Sequence, residues 1–147
     1  MIFDTDILIW VQRGNQKAAR LIDRTPERYL SIYSSLELLQ SAENKPQHNY
    51  IKDFLASFGF LVLPLTENIG HRALIYIEEY TLSHGLRAGD AIIAATAAEN
   101  NMTLVSSNAK QRNNGNGEIP ECLRKRMAPP TQNGSKLAAA TAGNGEA

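Results

Sequence analysis

The chain opens with two apolar runs separated by two carboxylates: Met1-Ile2-Phe3, then Asp4-Thr5-Asp6, then Ile7-Leu8-Ile9-Trp10. Met1 to Phe3 predicts a buried strand, because all three side chains are apolar and fit a pleated surface. Ile7, Leu8, Trp10 and Val11 predict the inward stripe of a short helix capped by Asp4, Thr5 or Asp6. Residues 15–24 read as a polar-faced helix with Ala18, Ala19, Leu21 and Ile22 inward, ended by Pro26. Tyr29 to Tyr33 alternates as a short strand. Ser34 or Ser35 then caps a helix carrying Leu36, Leu38 and Leu39, which leaves Glu37 in its first turn. Pro46 opens a further helix striped by Tyr50, Ile51, Phe54, Leu55 and Phe58, and Gly59 stops it.

The nearly continuous apolar run Phe60 to Leu65 predicts a strand covered on both faces. Thr66 opens a long helix to about Ser83, with Ala73, Leu74, Ile77 and Tyr80 at helical spacing. Asp90 opens an alanine-rich helix reaching Asn100, and Met102 to Ser106 is a fourth strand. Strands alternating with helices, without a hairpin signal between them, imply an α/β domain built on a parallel sheet.

The pattern fades after Lys110. Beyond residue 108 lie five of the ten glycines and no aromatic residue, and Asn113-Asn114-Gly115-Asn116-Gly117 breaks any regular element. The expected organisation is one folded domain over residues 1–110, an atypical segment over 111–127, and a tail over 128–147 that is disordered or a cloning remnant. Equal numbers of basic and acidic residues, 15 each, give no global field for a nucleic acid. The balance is uneven, however: residues 1–108 carry nine Lys/Arg and twelve Asp/Glu, and the remainder six and three. The single Cys122 excludes an internal disulfide and a thiolate-rich metal centre, so a metal would be held by oxygen or imidazole. There is no secretory signal pattern and no apolar stretch of membrane-spanning length, which makes the cytoplasm the expected location.

Three acids hold comparable positions. Asp4 closes the first strand, Glu37 follows the second, and Asp90 opens the helix before the fourth. Parallel connectivity would gather them at the carboxyl end of the sheet, where open α/β sheets bind ligands. Clustered carboxylates repel one another, and a hard divalent cation relieves that repulsion through oxygen ligands. Each acid also has a plainer explanation: Asp4 and Asp90 as helix caps, Glu37 as a favourable charge in a first turn.

Met1 to Trp10, Tyr33 to Leu39, Arg87-x-x-Asp90-x-x-Ile93-Ala94-Ala95-Thr96-Ala97 and Leu104 to Asn108 together resemble the PIN-domain family, specifically its VapC-type toxins. The resemblance spans Met1 to about Lys110 and implies a three-layer α/β/α domain with a central parallel sheet. It implies a Mg²⁺- or Mn²⁺-dependent endoribonuclease, the toxin of a bacterial toxin–antitoxin pair, forming a homodimer and neutralised by a small antitoxin. On that resemblance Asp4, Glu37 and Asp90 are the catalytic, metal-binding acids. Asp6, Thr5 and Ser107 support the site. The chain departs from the family at Asn108, where a fourth acid is common; an amide oxygen there lacks charge and weakens a second metal site. The departure motivates the alternative of a catalytically weak or inactive scaffold that binds RNA or protein.

RNA also requires cations. Arg13, Lys17 and Arg20 would share a face near the first acid if one helix carried all three, and Arg87 precedes Asp90. A solvated helix face is the plainer meaning of these charges. His48, His71 and His84 lack metal-ligand spacing, and Ser34-Ser35 lacks a partnered base.

Overall fold

The computed structural model describes residues 1–106 and the backbone of residues 109 and 110. Ser107, Asn108 and the segments 111–127 and 128–147 lie outside the described residues. The elements are β1 (Ile2–Phe3), α1 (Thr5–Gln12), α2 (Gln16–Asp23), β2 (Tyr29–Ser31), α3 (Ile32–Gln40) and α4 (Lys45–Ser57). They continue with β3 (Leu61–Leu63), α5 (Glu67–His84), α6 (Ala88–Glu99), β4 (Leu104–Ser106) and β5 (Ala109–Lys110).

The sheet runs β3-β2-β1-β4-β5, and its first four strands are parallel. Strand β5 pairs antiparallel with β4, a departure from the all-parallel expectation. Only two positions separate the two strands in sequence, too few for the crossover that a parallel neighbour needs.

Alternation along the short strands sorts the core into two layers. Phe3, Leu30 and Val105 face a cluster with Leu8, Ile22 and Leu38, which brings α1, α2, α3 and α4 to one side. Ile2 and Leu104 face Ile69, Tyr76, Leu86 and Ile93 from α5 and α6 on the other. Helices therefore cover both faces, as the three-layer expectation requires. Phe3 and Phe60 meet edge to face at 5.6 Å, tying the entry of β3 to the centre of the sheet.

Several local expectations are corrected. Helix α3 begins at Ile32, capped by the buried Ser31, whose hydroxyl accepts from Ser34 N at 3.1 Å. Ser34 and Ser35 are therefore inside the helix, and Glu37 stands in its second turn rather than its first. Helix α6 begins at Ala88 after Arg87, so Asp90 lies within the first turn and is not its cap. Strand β3 is an edge strand with Leu61 and Val62 largely exposed, because no strand lies beyond it among the described residues. Trp10, Tyr50 and Leu74, expected inward, are exposed; Tyr76 takes the buried place on α5.

Candidate active site

The strand order reverses beside β1: β2 and β3 follow on one side, β4 on the other. Such a switch point leaves a crevice at the carboxyl ends of the strands, since successive connections leave in opposite directions. Asp4 sits in that position. Its backbone N–H continues the ladder to Val105 O at 2.8 Å, and its carboxylate then caps α1 by accepting from Thr5 N at 2.8 Å. The side chain is nearly fully buried, at 3% exposure. Burying a carboxylate this deeply requires compensation from donors or cations, and the helix amino terminus supplies part of it.

Thr5 links two of the acids. Its backbone N–H is held by Asp4, while its hydroxyl donates to Glu37 Oε2 at 2.6 Å. A contact between residues 32 positions apart thus fixes α3 against the start of α1. Asp4, Thr5, Asp6 and Glu37 line one open cavity of about 480 Å³, together with Gln40 and Ser41. Gln40 and Ser41 were not expected from the sequence. The available signal was helical spacing, because they lie three and four residues after Glu37 on the same face. Ser41 also ends α3, its hydroxyl donating to Leu38 O at 2.6 Å.

Asp90 does not line this cavity. It is half-buried in the first turn of α6, whose amino end packs against α3. Gly89 makes that approach possible: a Cβ there would stand 2.5 Å from the Tyr33 ring. Among the described residues no three His, Cys, Asp or Glu side chains form a group able to hold a metal ion. Asp4 and Glu37 converge, while Asp90 occupies the neighbouring helix end. Ser106 ends β4 at the switch point, buried, and its Oγ has no hydrogen-bond partner among the described residues. Ser107 and Asn108 lie outside them.

The donor set suits a hard cation. Three carboxylates, Asp4, Asp6 and Glu37, with two hydroxyls and an amide nearby offer oxygen ligands, and magnesium commonly takes one or two carboxylates while keeping several waters. The residues lining the cavity fit that mode of binding.

The basic residues are distributed differently from expectation. Helix α1 ends at Gln12, Gly14 takes a left-handed φ of 83°, and α2 starts afresh at Gln16. Arg13, which follows the last residue of α1, therefore shares no helix with Lys17 and Arg20. Those two line a second, larger cavity beside Met1, at the amino end of β1 and away from the acids. The Met1 amino group there donates to Glu27 O at 3.0 Å; burial lowers its pKa, against the charge of Glu27. Arg87 is exposed at the start of α6.

The sequence matches the PIN domain family over residues 1–116. A search of curated proteins finds no match. Among solved structures, a toxin–antitoxin complex from Klebsiella pneumoniae is similar with a TM-score of 0.63 and 27% identity, covering 73% of this chain and 85% of the matched one. FitAcB from Neisseria gonorrhoeae is similar at TM-score 0.55 and 24% identity, over 71% of this chain and 85% of that one. VapBC2 from Rickettsia felis, bound to a DNA fragment from their promoter, is similar at TM-score 0.57 and 19% identity, over 74% and 88%. At those identities the last two comparisons speak to the fold.

Proposed function

Because the chain belongs to the PIN-domain family, we propose that it is a metal-dependent endoribonuclease, the toxin of a bacterial toxin–antitoxin pair acting in the cytoplasm. The observation that carries this reading is the Asp4–Thr5–Glu37 arrangement at the switch point of the sheet. Mg²⁺ or Mn²⁺ held there by Asp4 and Glu37 would lower the pKa of a water and neutralise charge on a phosphodiester. Thr5 orients both carboxylates. Asp6 lines the cavity beside them, Asp90 adds negative charge from the adjoining helix end, and Arg87 and Arg13 supply positive charge for RNA phosphates. Residues 1–110 form the catalytic domain on this reading; Ser107 and Asn108, which the resemblance assigns to the site, lie outside the described residues.

Partners are part of the proposal. The Klebsiella protein is a toxin–antitoxin complex, and large apolar side chains stand exposed here on separate elements. Trp10 on α1 and Leu36 on α3 belong to contacting helices, and Leu61 and Val62 lie on β3, whose outer edge pairs with no strand among the described residues. Exposed apolar surface of this kind marks interaction sites, and it supports an antitoxin and a second copy of the chain as partners. No helix among the described residues is long and apolar enough to cross a membrane.

A second reading, an RNA- or protein-binding scaffold that does not cleave, is motivated by Asn108 standing where the resemblance places a fourth acid. Incubating the protein with a mixed pool of structured RNA distinguishes the two. The nuclease reading predicts fragments with Mn²⁺ or Mg²⁺ and none in excess chelator; RNA retained in chelator but never cut with metal supports the scaffold instead.

A further inference from the structure

The larger cavity lies outside the acid site. It has a volume of about 820 Å³, within the range of about 300–1,000 Å³ typical of small-ligand sites. Lys17 and Arg20 lie on α2 and Arg24 is the residue that caps its carboxyl end, the three spaced three and four residues apart, and Leu21 lies between them. Among the described residues none of the three cations has an acidic partner within ion-pair distance; Arg20 Nη2 donates to the neutral Gln16 Oε1 at 3.3 Å. Their charge is therefore not cancelled by a salt bridge within that set. Leu21, Pro26 and Met1 provide apolar lining, and Glu27 is the single acid on the wall.

That wall is braced from behind. Arg28 donates from Nε to Thr25 O at 2.9 Å and from Nη1 to Phe58 O at 2.6 Å, while the Thr25 hydroxyl donates to Leu21 O at 2.8 Å. The turn carrying Thr25, Pro26 and Glu27 is thus tied both to α2 and to the end of α4. A pre-shaped wall spares a ligand part of the ordering cost of binding.

We propose that this cavity is a nucleotide-binding subsite. The phosphate sits among Lys17, Arg20 and Arg24, and a base bearing an exocyclic amino group lies on the apolar lining with Glu27 accepting from that amino group. Phosphate offers several oxygens to guanidinium donors, and a carboxylate is a suitable acceptor for the amino group of cytosine. An acidic peptide would match the cations but would bring further carboxylates toward Glu27 and no planar base for the apolar lining. The inference takes its ligand class from the RNA-directed reading above. The two sites lie at opposite ends of β1, whose Ile2 and Phe3 are fully buried, so an RNA strand reaching both would pass over the outside of the helix layer. A free nucleotide presents the same chemistry.

The test uses the full chain in excess chelator, with cytidine monophosphate, uridine monophosphate and a fluorescent cytidine octaribonucleotide as probes. Binding is read by calorimetry and anisotropy. Cytidine monophosphate is expected to bind more tightly than uridine monophosphate, and Glu27→Ala is expected to abolish that preference. The variant K17Q/R20Q/R24Q, whose exposed side chains can change without disturbing the core, is expected to weaken cytidine monophosphate at least ten-fold. If the site serves an RNA strand, its log-affinity against log-salt slope for the octamer also falls by about 2, from three cations at about 0.7 each; an unchanged octamer slope assigns the site to free nucleotide. Absent binding of cytidine monophosphate, or binding unaffected by the triple variant, overturns the proposal, as does an acidic octapeptide binding where the nucleotide does not. Asp4→Asn, assayed in parallel, is expected to bind cytidine monophosphate like the wild type while losing cleavage, so the subsite and the nuclease reading fail separately.

Discussion

Thr5 shows how much of the site depends on a single small residue. Its amide and hydroxyl engage Asp4 and Glu37 respectively, so Thr5→Val keeps the shape and the amide contact while removing the link to α3. Loss of a residue that orients a metal ligand commonly costs about 10–100-fold in metal affinity or activity. Thr5→Val is expected to lower Mn²⁺-dependent cleavage by that factor, with a stability change of only about 1 kcal/mol in a urea melt. Unchanged cleavage would remove Thr5 from the site. Gly89 makes a different point: the residue is small because Tyr33 occupies the space its Cβ would need. Gly89→Ala is expected to destabilise the fold by about 1–3 kcal/mol through overpacking. Shortening Tyr33 to Leu in the same chain should recover part of that loss, a non-additivity expected of side chains in contact. Additive effects in the four-variant cycle would show that the two do not meet.

At the scale of elements, the sequence made the order of strands and helices readable because apolar periodicity is strong wherever an element is buried on one face. Asn15 and Thr66 were readable as starts for the same kind of local reason, each side chain accepting from the backbone three residues ahead. The boundary between β2 and α3 was not. Ile32 and Tyr33 favour a strand by propensity, yet Ser31 caps a helix at that point and both are drawn into α3. Local chemistry at one buried serine overrode the pattern, and Glu37 moved from the first turn to the second as a result. The β3 run misled for another reason: an apolar strand at a sheet edge and one at its centre look alike until the neighbours are known. Between α5 and α6, Arg72 donates to Glu99, and that hydrogen bond raises the guanidinium pKa. The pair is partly exposed, so Arg72→Ala is expected to cost only about 0.5–1 kcal/mol, measured by denaturant titration; a much larger loss would show that the contact organises α5 against α6.

For the whole molecule, the sheet order explains why a site forms where it does, and that order was the part least visible in the sequence. Spacing of Asp4, Glu37 and Asp90 pointed to one sheet end, but only the pairing of β1 with both β2 and β4 reveals the switch point beside Asp4. Thr5 joins Asp4 to Glu37, and Asp90 stands in the first turn of α6. Among the described residues no strand pairs with the outer edge of β3, which bears the exposed Leu61 and Val62. If that edge is the homodimer contact, L61K/V62K is expected to halve the mass seen by light scattering while leaving the thermal melt cooperative; an unchanged mass would place the contact elsewhere. The central claim is that the acids at this sheet end serve one metal-dependent nuclease site, and the most direct test compares Mn²⁺-dependent RNA cleavage by the wild type, Asp4→Asn and Asp90→Asn. The account predicts cleavage by the wild type and its loss, by a factor of a hundred or more on the order expected for removed metal-site charge, in both variants. Wild-type rates in Asp90→Asn would separate that residue from the site, and full activity in Asp4→Asn would contradict the account altogether.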